Sequence, residues 1–385
     1  MISAVTMSED RIDSEERVLL FHNVPSPYRL PVFEQLATEC DLEVVFLRGN
    51  EDYRKWDTDL NEFDFNYKFL PNVNFGPFVV NYTLLFELLH GKYDTYVIGD
   101  TKHGLLTTLI AVLFGKLTGV NIVLWSGWLS TDFSTRVKAK GPIRGSATKV
   151  YRMVRDSLQK VLYPLADGFL SYSSLTTQYL VKRGADTDSI VEGGQVMPAE
   201  NLPSSTDAAE PENIVLSLGY LQRRKGIDTL LDAWEFVDIG DWNLVIAGSG
   251  SYEDQIRARA KEDDTVKFEG YVQGTEKANL YRSARVFVLP TLHDPWGLVI
   301  NEAVYYDTPV ITTQFAGASD FVEDSRCGVV VRGDDPEALA DALEMMIMND
   351  EEHRTEYRQQ ASSSTGLTEI SESVDAILEA IERTK

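Results

Sequence analysis

A chain of 385 residues exceeds one ordinary core and suits two domains of roughly 150 to 200 residues, and its 43% hydrophobic content excludes wholesale disorder. Its 60 acidic against 36 basic residues give a formal net charge of -24, which disfavours a nucleic-acid partner and suits a salt-rich, halophilic cytosol where charge repulsion is screened. Two cysteines, Cys40 and Cys327, allow no disulfide framework or zinc cluster, and the acidic N-terminus lacks a signal-peptide pattern, so a cytoplasmic location is expected.

Residues 1–16 are polar and acidic without apolar periodicity and read as a disordered tail. From Arg17 the pattern alternates. RVLLFHNV (17–24) is a short buried strand, the turn-rich NVPSPYR follows, and LPVFEQLATE has helical spacing. DLEVVFL (41–47), YDTYVIGD (93–100), NIVLW (121–125) and ADGFLSYS (166–173) continue the strands, with the helical GLLTTLIAVLFGKLTG between the second and third of them. The apolar run at 105–115 ends at Lys116, short of the roughly 20 residues a membrane span needs.

A Gly-, Pro-, Ser- and acid-rich stretch then marks a linker over 196–213. Beyond it NIVLSLGYL, IDTLLDAWEFV, WNLVIAG, EDQIRARAKE, VKFEG, TEKANLYRSA, VFVLP, LVINEAVYY, PVITT and PEALADALEMMIM alternate strand with helix. The expected architecture is α/β, two Rossmann-like doubly wound domains facing across a cleft. Their bounds are 17–195 and 214–360, and a helix within 361–385 returns to the N-terminal domain. No period of 20 to 50 residues repeats, which excludes a solenoid.

In open parallel sheets ligands bind beyond the carboxyl ends of the strands, so the residues just after each strand carry the information. After NIVLSLG come Tyr220, Leu221, Gln222, Arg223, Arg224 and Lys225, whose cations at a helix start suit a diphosphate. A solvated basic turn is the plain alternative. Gly248 and Gly250, after NLVIA, let backbone approach a ligand closely. After VFVLP comes HDPWGLVINEA, with Asp294 in the loop and Glu302 eight positions on, about two helical turns away. The peptide N–H groups of Gly297, Leu298 and Val299 lie between them at a helix N-terminus, where phosphate is favoured. The alternative is one capping aspartate and one surface glutamate. In the first half His22, Asn23 and Asp100 end strands and should face the cleft, as should Lys102 and His103.

The runs LSLGYLQRRKGIDTLL, NLVIAGSG, VKFEGYV and VFVLPTLHDPWGLVINEAVYYDTPVITTQFAGASDFV resemble the C-terminal domain of family 4 retaining glycosyltransferases of the GT-B fold, specifically over about 214–345 and more loosely over 17–195. An acid, seven residues and a second acid is that family's signature. The resemblance implies that Glu302 binds the ribose hydroxyls of a nucleotide-sugar donor and Asp294 a hydroxyl of the donor sugar. It assigns the phosphates to the amides of Gly297, Leu298 and Val299, pairs Lys225 with the diphosphate, and sets Val272 by the base. His103 is read either as a histidine near the reacting sugar or as a helix cap. Three departures stand out: Asp294 replaces the usual glutamate, Tyr220 holds the place of a diphosphate arginine, and Tyr305-Tyr306-Asp307 replaces small residues and narrows the pocket.

The implied activity is metal-independent transfer without a cofactor, to a glycan or lipid-linked acceptor; a sugar-nucleotide epimerase, a phosphorylase or a non-catalytic nucleotide-sugar-binding subunit are the alternatives. Residues 136–160 hold eight cations (Arg136, Lys138, Lys140, Arg144, Lys149, Arg152, Arg155, Lys160) against Asp156 alone. Val150, Val154, Leu158, Val161 and Leu162 fall at helical spacing among them. That pattern predicts peripheral contact with the cytoplasmic membrane face, the alternative being a domain helix with a solvated basic face.

Overall fold

The computed structural model describes residues 15–49, 58–75, 78–101, 104–129, 142–203, 211–238, 240–348, 351–363 and 368–385. The first half runs β1 (Arg17–His22), α1 (Leu30–Glu39), β2 (Asp41–Phe46), β3 (Asn66–Phe69), β4 (Asn72–Phe75), β5 (Phe78–Asn81), α2 (Leu84–His90), β6 (Thr95–Asp100), α3 (Leu105–Thr118), β7 (Asn121–Ser126), α4 (Pro142–Leu162), β8 (Gly168–Ser171), α5 (Ser174–Val181) and β9 (Ile190–Glu192). The second runs β10 (Glu212–Leu218), α6 (Ile227–Trp234), β11 (Asn243–Ala247), α7 (Glu253–Ala260), β12 (Val266–Gly270), α8 (Gly274–Ser283), β13 (Ala284–Leu289), α9 (Leu298–Tyr305), β14 (Val310–Thr313), α10 (Ser319–Ser325), β15 (Gly328–Val331), α11 (Pro336–Met348), α12 (Glu351–Ser363) and α13 (Ile370–Glu382).

Two parallel sheets result, ordered β3-β2-β1-β6-β7-β8-β9 and β12-β11-β10-β13-β14-β15. Helices cover both faces of each, which is why their central strands read as continuous Val, Ile and Leu runs rather than alternating ones. In each sheet the strand order reverses beside the first strand, between β1 and β6 and between β10 and β13. Such a reversal opens a crevice at the carboxyl ends, and that is where the motif residues of both halves fall. The antiparallel hairpin of β4 and β5 stands outside both sheets. Among the described residues no helix is long and apolar enough to cross a membrane.

The C-terminal α13 lies on the first sheet: Val374, Ile377 and Ile381 share one core with Phe33 of α1 and Trp125 of β7. Arg383 Nη1 donates to the carbonyls of Asp188 and Ile190, each at 3.0 Å.

The crossover from the first sheet to the second is clamped by polar contacts from both. Arg29, which precedes α1, is 1% exposed and donates through Nη2 to Gln195 Oε1. Its guanidinium lies 4.3 Å from the Trp125 ring centroid, and no carboxylate pairs with it among the described residues. Gln195 in turn offers its carbonyl oxygen to Asn301 Nδ2 of α9 at 2.7 Å, while Asn301 Oδ1 accepts from Trp296 Nε1 at 2.8 Å. Asn201 Nδ2 donates to Pro27 O at 3.2 Å and Tyr306 OH to Pro203 O at 2.9 Å.

Asn301→Ala removes the bonds to Trp296 and Gln195 from a fully buried residue and takes these partners from the Gln195 backbone carbonyl and the Trp296 indole. Each partner so lost costs about 1–3 kcal/mol, so the variant is expected to lose about 2 kcal/mol or more, read as a lower urea midpoint with an unchanged slope. A midpoint equal to wild type would show that the clamp contributes nothing to stability.

Candidate functional site

The second sheet's reversal brings Lys225, in the turn after β10, against Asp294, in the loop after β13. Two glycines allow the approach. Gly226 sits at φ +71°, and a Cβ there would come within 1.9 Å of Pro290 O. Gly248 sits at φ +136°, with the same 1.9 Å conflict against Gly219 O. Side chains at either place would force the loops apart.

Lys225 Nζ donates to Asp294 Oδ2 at 2.5 Å, and both residues are buried. Arg224 reaches the same loop: its Nη1 donates to His293 O at 2.9 Å and lies 3.8 Å from Asp294 Oδ2. Arg223 is exposed in the same turn. Burial alone would raise the Asp294 carboxyl, but the charges of Lys225 and Arg224 outweigh it and hold the group below the ordinary carboxylate range. Burial pushes the Lys225 ammonium down, Asp294 opposes that, and Arg224 adds to it. The His293 imidazole is pushed down by burial first and by Arg224 second.

Gly297 caps α9 at φ +104°, a left-handed conformation that turns the chain sharply into the helix. The amides of Gly297, Leu298 and Val299 are first-turn groups without intrahelical acceptors. Further along, Glu302 is 5% exposed. Its Oε1 accepts from Lys277 Nζ and its Oε2 from Tyr281 OH, each at 2.7 Å. Burial, then the Glu302 charge, drives the Tyr281 hydroxyl well above its ordinary value. Two carboxylates, each paired with a lysine, thus flank one helix N-terminus. Val272 is buried in the core beneath this helix.

On the other sheet His22 Nδ1 lies 2.9 Å from Val24 O, and its ring packs edge-on against Phe33 at 5.4 Å. Asn23 continues from it. Asp100 is 5% exposed and accepts from Tyr163 OH at 2.6 Å and Gln159 Nε2 at 3.4 Å. Burial outweighs these bonds and raises its carboxyl. Asp100 therefore serves an internal network of the first domain rather than an open face. Lys102 and His103 lie outside the described residues, as do 136–141 of the basic window. Among the described residues no group of three or more His, Cys, Asp or Glu could hold a metal ion.

Lys277 and Tyr281 were not singled out from sequence, although they stand four apart on α8 and so share one helix face. Their partner Glu302 is 25 residues from Lys277, and no local pattern announces that pairing. Arg29 and Gln195 were missed for the same reason, being 166 residues apart. Arg155, counted with the basic face of α4, is 4% exposed and engaged with Asp156 at 2.6 Å and the Trp128 ring at 4.6 Å. Its charge therefore points into the domain, because an arginine flanked by aromatic rings and a carboxylate is better satisfied there than in water.

Residues 199–364 match the family model described as glycosyl transferases group 1. The chain is 32% identical over 225 residues to a phosphatidyl-myo-inositol mannosyltransferase of Mycobacterium leprae, covering 55% of this chain and 59% of that protein. It is 30% identical over 181 residues, 46% of this chain and 50% of the relative, to a Campylobacter jejuni α-1,4-N-acetyl-D-galactosaminyltransferase named for a diNAcBac-PP-undecaprenol-linked acceptor. The aligned stretches span 37% to 65% of the first five curated relatives. The fold of Anabaena HepE, solved with UDP and glucose, superposes with a TM-score of 0.70 at 13% identity, over 96% of this chain and 100% of that one. Residues 199–364 thus carry the group 1 glycosyl transferase match, and the whole chain has the GT-B fold.

Proposed function

We propose that the chain is a retaining glycosyltransferase that takes a sugar from a nucleoside-diphosphate donor and passes it to a glycan or lipid-linked acceptor. The observation that carries this reading is the Lys225–Asp294 pair at the strand-order reversal, with Glu302 two turns along α9. In this reading Lys225, Arg224 and the amides of Gly297, Leu298 and Val299 receive the departing diphosphate. Protein cations then supply the charge stabilisation that a divalent ion gives elsewhere. Asp294, ionised and accepting only, orients a hydroxyl of the donor sugar. Glu302 has two protein bonds and about four lone-pair sites, which leaves capacity for two ribose hydroxyls. Closure of the two domains excludes water from the reacting centre.

The test is consumption of nucleotide sugars by the purified chain, set against Glu302→Gln. That variant keeps the shape and loses the charge, and is expected to bind donor about tenfold or more weakly, in keeping with a charged hydrogen bond of about 1.5–3 kcal/mol. Unchanged donor affinity would remove Glu302 from the site. Donor binding without any consumption would favour the non-catalytic subunit.

Removing the cation has a sign that pH resolves. In wild type the Asp294 carboxyl lies below its unfolded value, so its contribution to stability is present above the ordinary carboxylate range and lost as pH falls through its folded value. In Lys225→Met the main charge opposing burial is gone, so the folded pKa of Asp294 rises relative to wild type while Arg224 still holds it down in part. Stability relative to wild type should then fall as pH rises from the acid side through the carboxylate range. Parallel stability profiles for the two proteins would refute the pairing.

The acceptor-side domain carries the surface for a lipid-linked substrate, a reading that the names of the mycobacterial and Campylobacter relatives favour. On α4, Met153 and Val154 beside Arg152, and Val161 beside Lys160, are exposed, and α2 exposes Leu85, Phe86 and Leu89. Apolar side chains interleaved with cations suit the interface of an anionic bilayer. Sedimentation with phosphatidylglycerol vesicles should pellet the wild type. It should leave a variant with Met153, Val154 and Val161 changed to Ser, and Arg152 and Lys160 to Gln, in the supernatant. Equal partitioning of the two would end the membrane reading.

A further inference from the structure

Beside the donor-side carboxylate lies a cavity of about 450 Å³ that no role above uses, within the size range of small-molecule sites. One wall belongs to α5 of the first domain, through Ser174 and Gln178. The other is the segment after β14 and α10, through Gln314, Ser319, Asp320 and Glu323. The cavity adjoins the motif through the backbone. Asp294 forms a parallel bridge with Ala316, its N–H donates to Phe315 O at 3.1 Å, and Gly317 N–H donates to Asp294 O at 3.0 Å. Phe315 itself lines the cavity.

The chemistry of the walls selects the ligand. The side chains of Ser174, Gln178, Ser319, Asp320 and Glu323 make no hydrogen bond or ion pair with other described residues. Ser319 is only 5% exposed and lines the cavity wall. Gln314 Oε1 already accepts from Gly333 N–H at 2.9 Å, which leaves its amide protons as donors. Two carboxylates face the lone cation Arg332, which itself stands 3.9 Å from Asp335. Such a lining repels phosphate and carboxylate ligands, and it offers acceptors and donors in the mixture that a neutral polyhydroxylated molecule requires.

We infer that this groove is the subsite for the sugar end of the acceptor, an uncharged glycan residue whose hydroxyls are bonded from both domains at once. The inference rests on the transferase reading and adds to it the class of acceptor. Any lipid phosphate of that acceptor lies outside this groove, and occupancy ties the two domains together beside Asp294.

The experiment uses the full chain and a panel of neutral disaccharides (maltose, cellobiose, lactose), followed by saturation-transfer NMR with and without a nucleoside diphosphate. Two variants accompany it. Gln178→Trp fills the groove from an exposed helix position, and the double change Asp320→Ala with Glu323→Ala removes the acceptors. At least one saccharide should bind the wild type, and each variant should bind it about tenfold more weakly, the loss expected for one or two charge-assisted hydrogen bonds. Nucleoside-diphosphate binding and slow donor hydrolysis should stay unchanged in both. Equal saccharide binding in wild type and variants, binding of sugar phosphates alone, or no neutral saccharide bound at tens of millimolar each overturns the inference. Saccharide binding that the variants lose, in a chain that consumes no nucleotide sugar, keeps the groove and removes only the transferase reading.

Discussion

The buried pair of Lys225 and Asp294 is the constraint around which the second domain is arranged. A lysine and an aspartate, each under a tenth exposed, are stable there only together, since removing one partner of a buried pair costs about 3–5 kcal/mol. Their meeting requires that β10 and β13 be neighbours in the sheet, that Gly226 tuck against Pro290, and that the loop after β13 run beside the segment after β14. Strand order, a left-handed glycine and a backbone bridge thus converge on one contact. The contact fixes the sign of the charge at the reversal point: Asp294 stays ionised, and Lys225 stays beside it with Arg224 at hand.

That arrangement is tied to the other domain by a chain of polar groups, with Tyr28 packed on the second core beside it. Arg29, Gln195, Asn301 and Trp296 pass from the start of α1, through the crossover, into the motif helix and its preceding loop. A guanidinium that has no carboxylate partner among the described residues is expensive to bury, and the Trp125 face recovers part of that cost. Because Asn301 stands next to Glu302, a shift of the crossover moves the residue beside a carboxylate of the site. The motif helix is therefore bonded directly to the segment that leads from the first sheet to the second.

Much of this was legible in sequence, and what was legible was periodic or local. The parallel strands appear as short apolar runs, and the acid-to-acid spacing of eight fixes Asp294 before α9 and Glu302 upon it. The hairpin of β4 and β5 and helix α2 were passed over because their buried residues Val79, Leu84 and Leu88 are interleaved with exposed apolar ones, Val73, Leu85, Phe86 and Leu89, which blur the inward-facing period. Lys277, Tyr281 and Arg29 were invisible because their partners are remote along the chain. The Tyr305-Tyr306-Asp307 departure has a different meaning from a narrowed pocket. Tyr306 stacks on Tyr281 with centroids 5.6 Å apart and holds the crossover at Pro203, while Asp307 takes a left-handed turn at φ +59° whose carboxylate accepts from Ser362 OH. Residues that look like intrusions at the donor side instead join α9 to the linker and to α12.

On the proposed reading, a chain of charge -24 must still accommodate an anionic donor. Much of its charge is screened by water and salt, while at the sheet reversal Lys225 is held out of solvent with Arg224 beside it. Lys225 is buried, and for a group brought against it one fixed ammonium at short range would outweigh many distant carboxylates, because Coulomb energy falls with both distance and dielectric. Arg155 illustrates the opposite choice, a cation spent on internal packing against Trp128 and Asp156 and so withdrawn from any outer surface. Net charge therefore says little about what the cleft attracts. The position of each cation relative to the sheet reversal decides it, and that position is a property of strand order before it is one of composition.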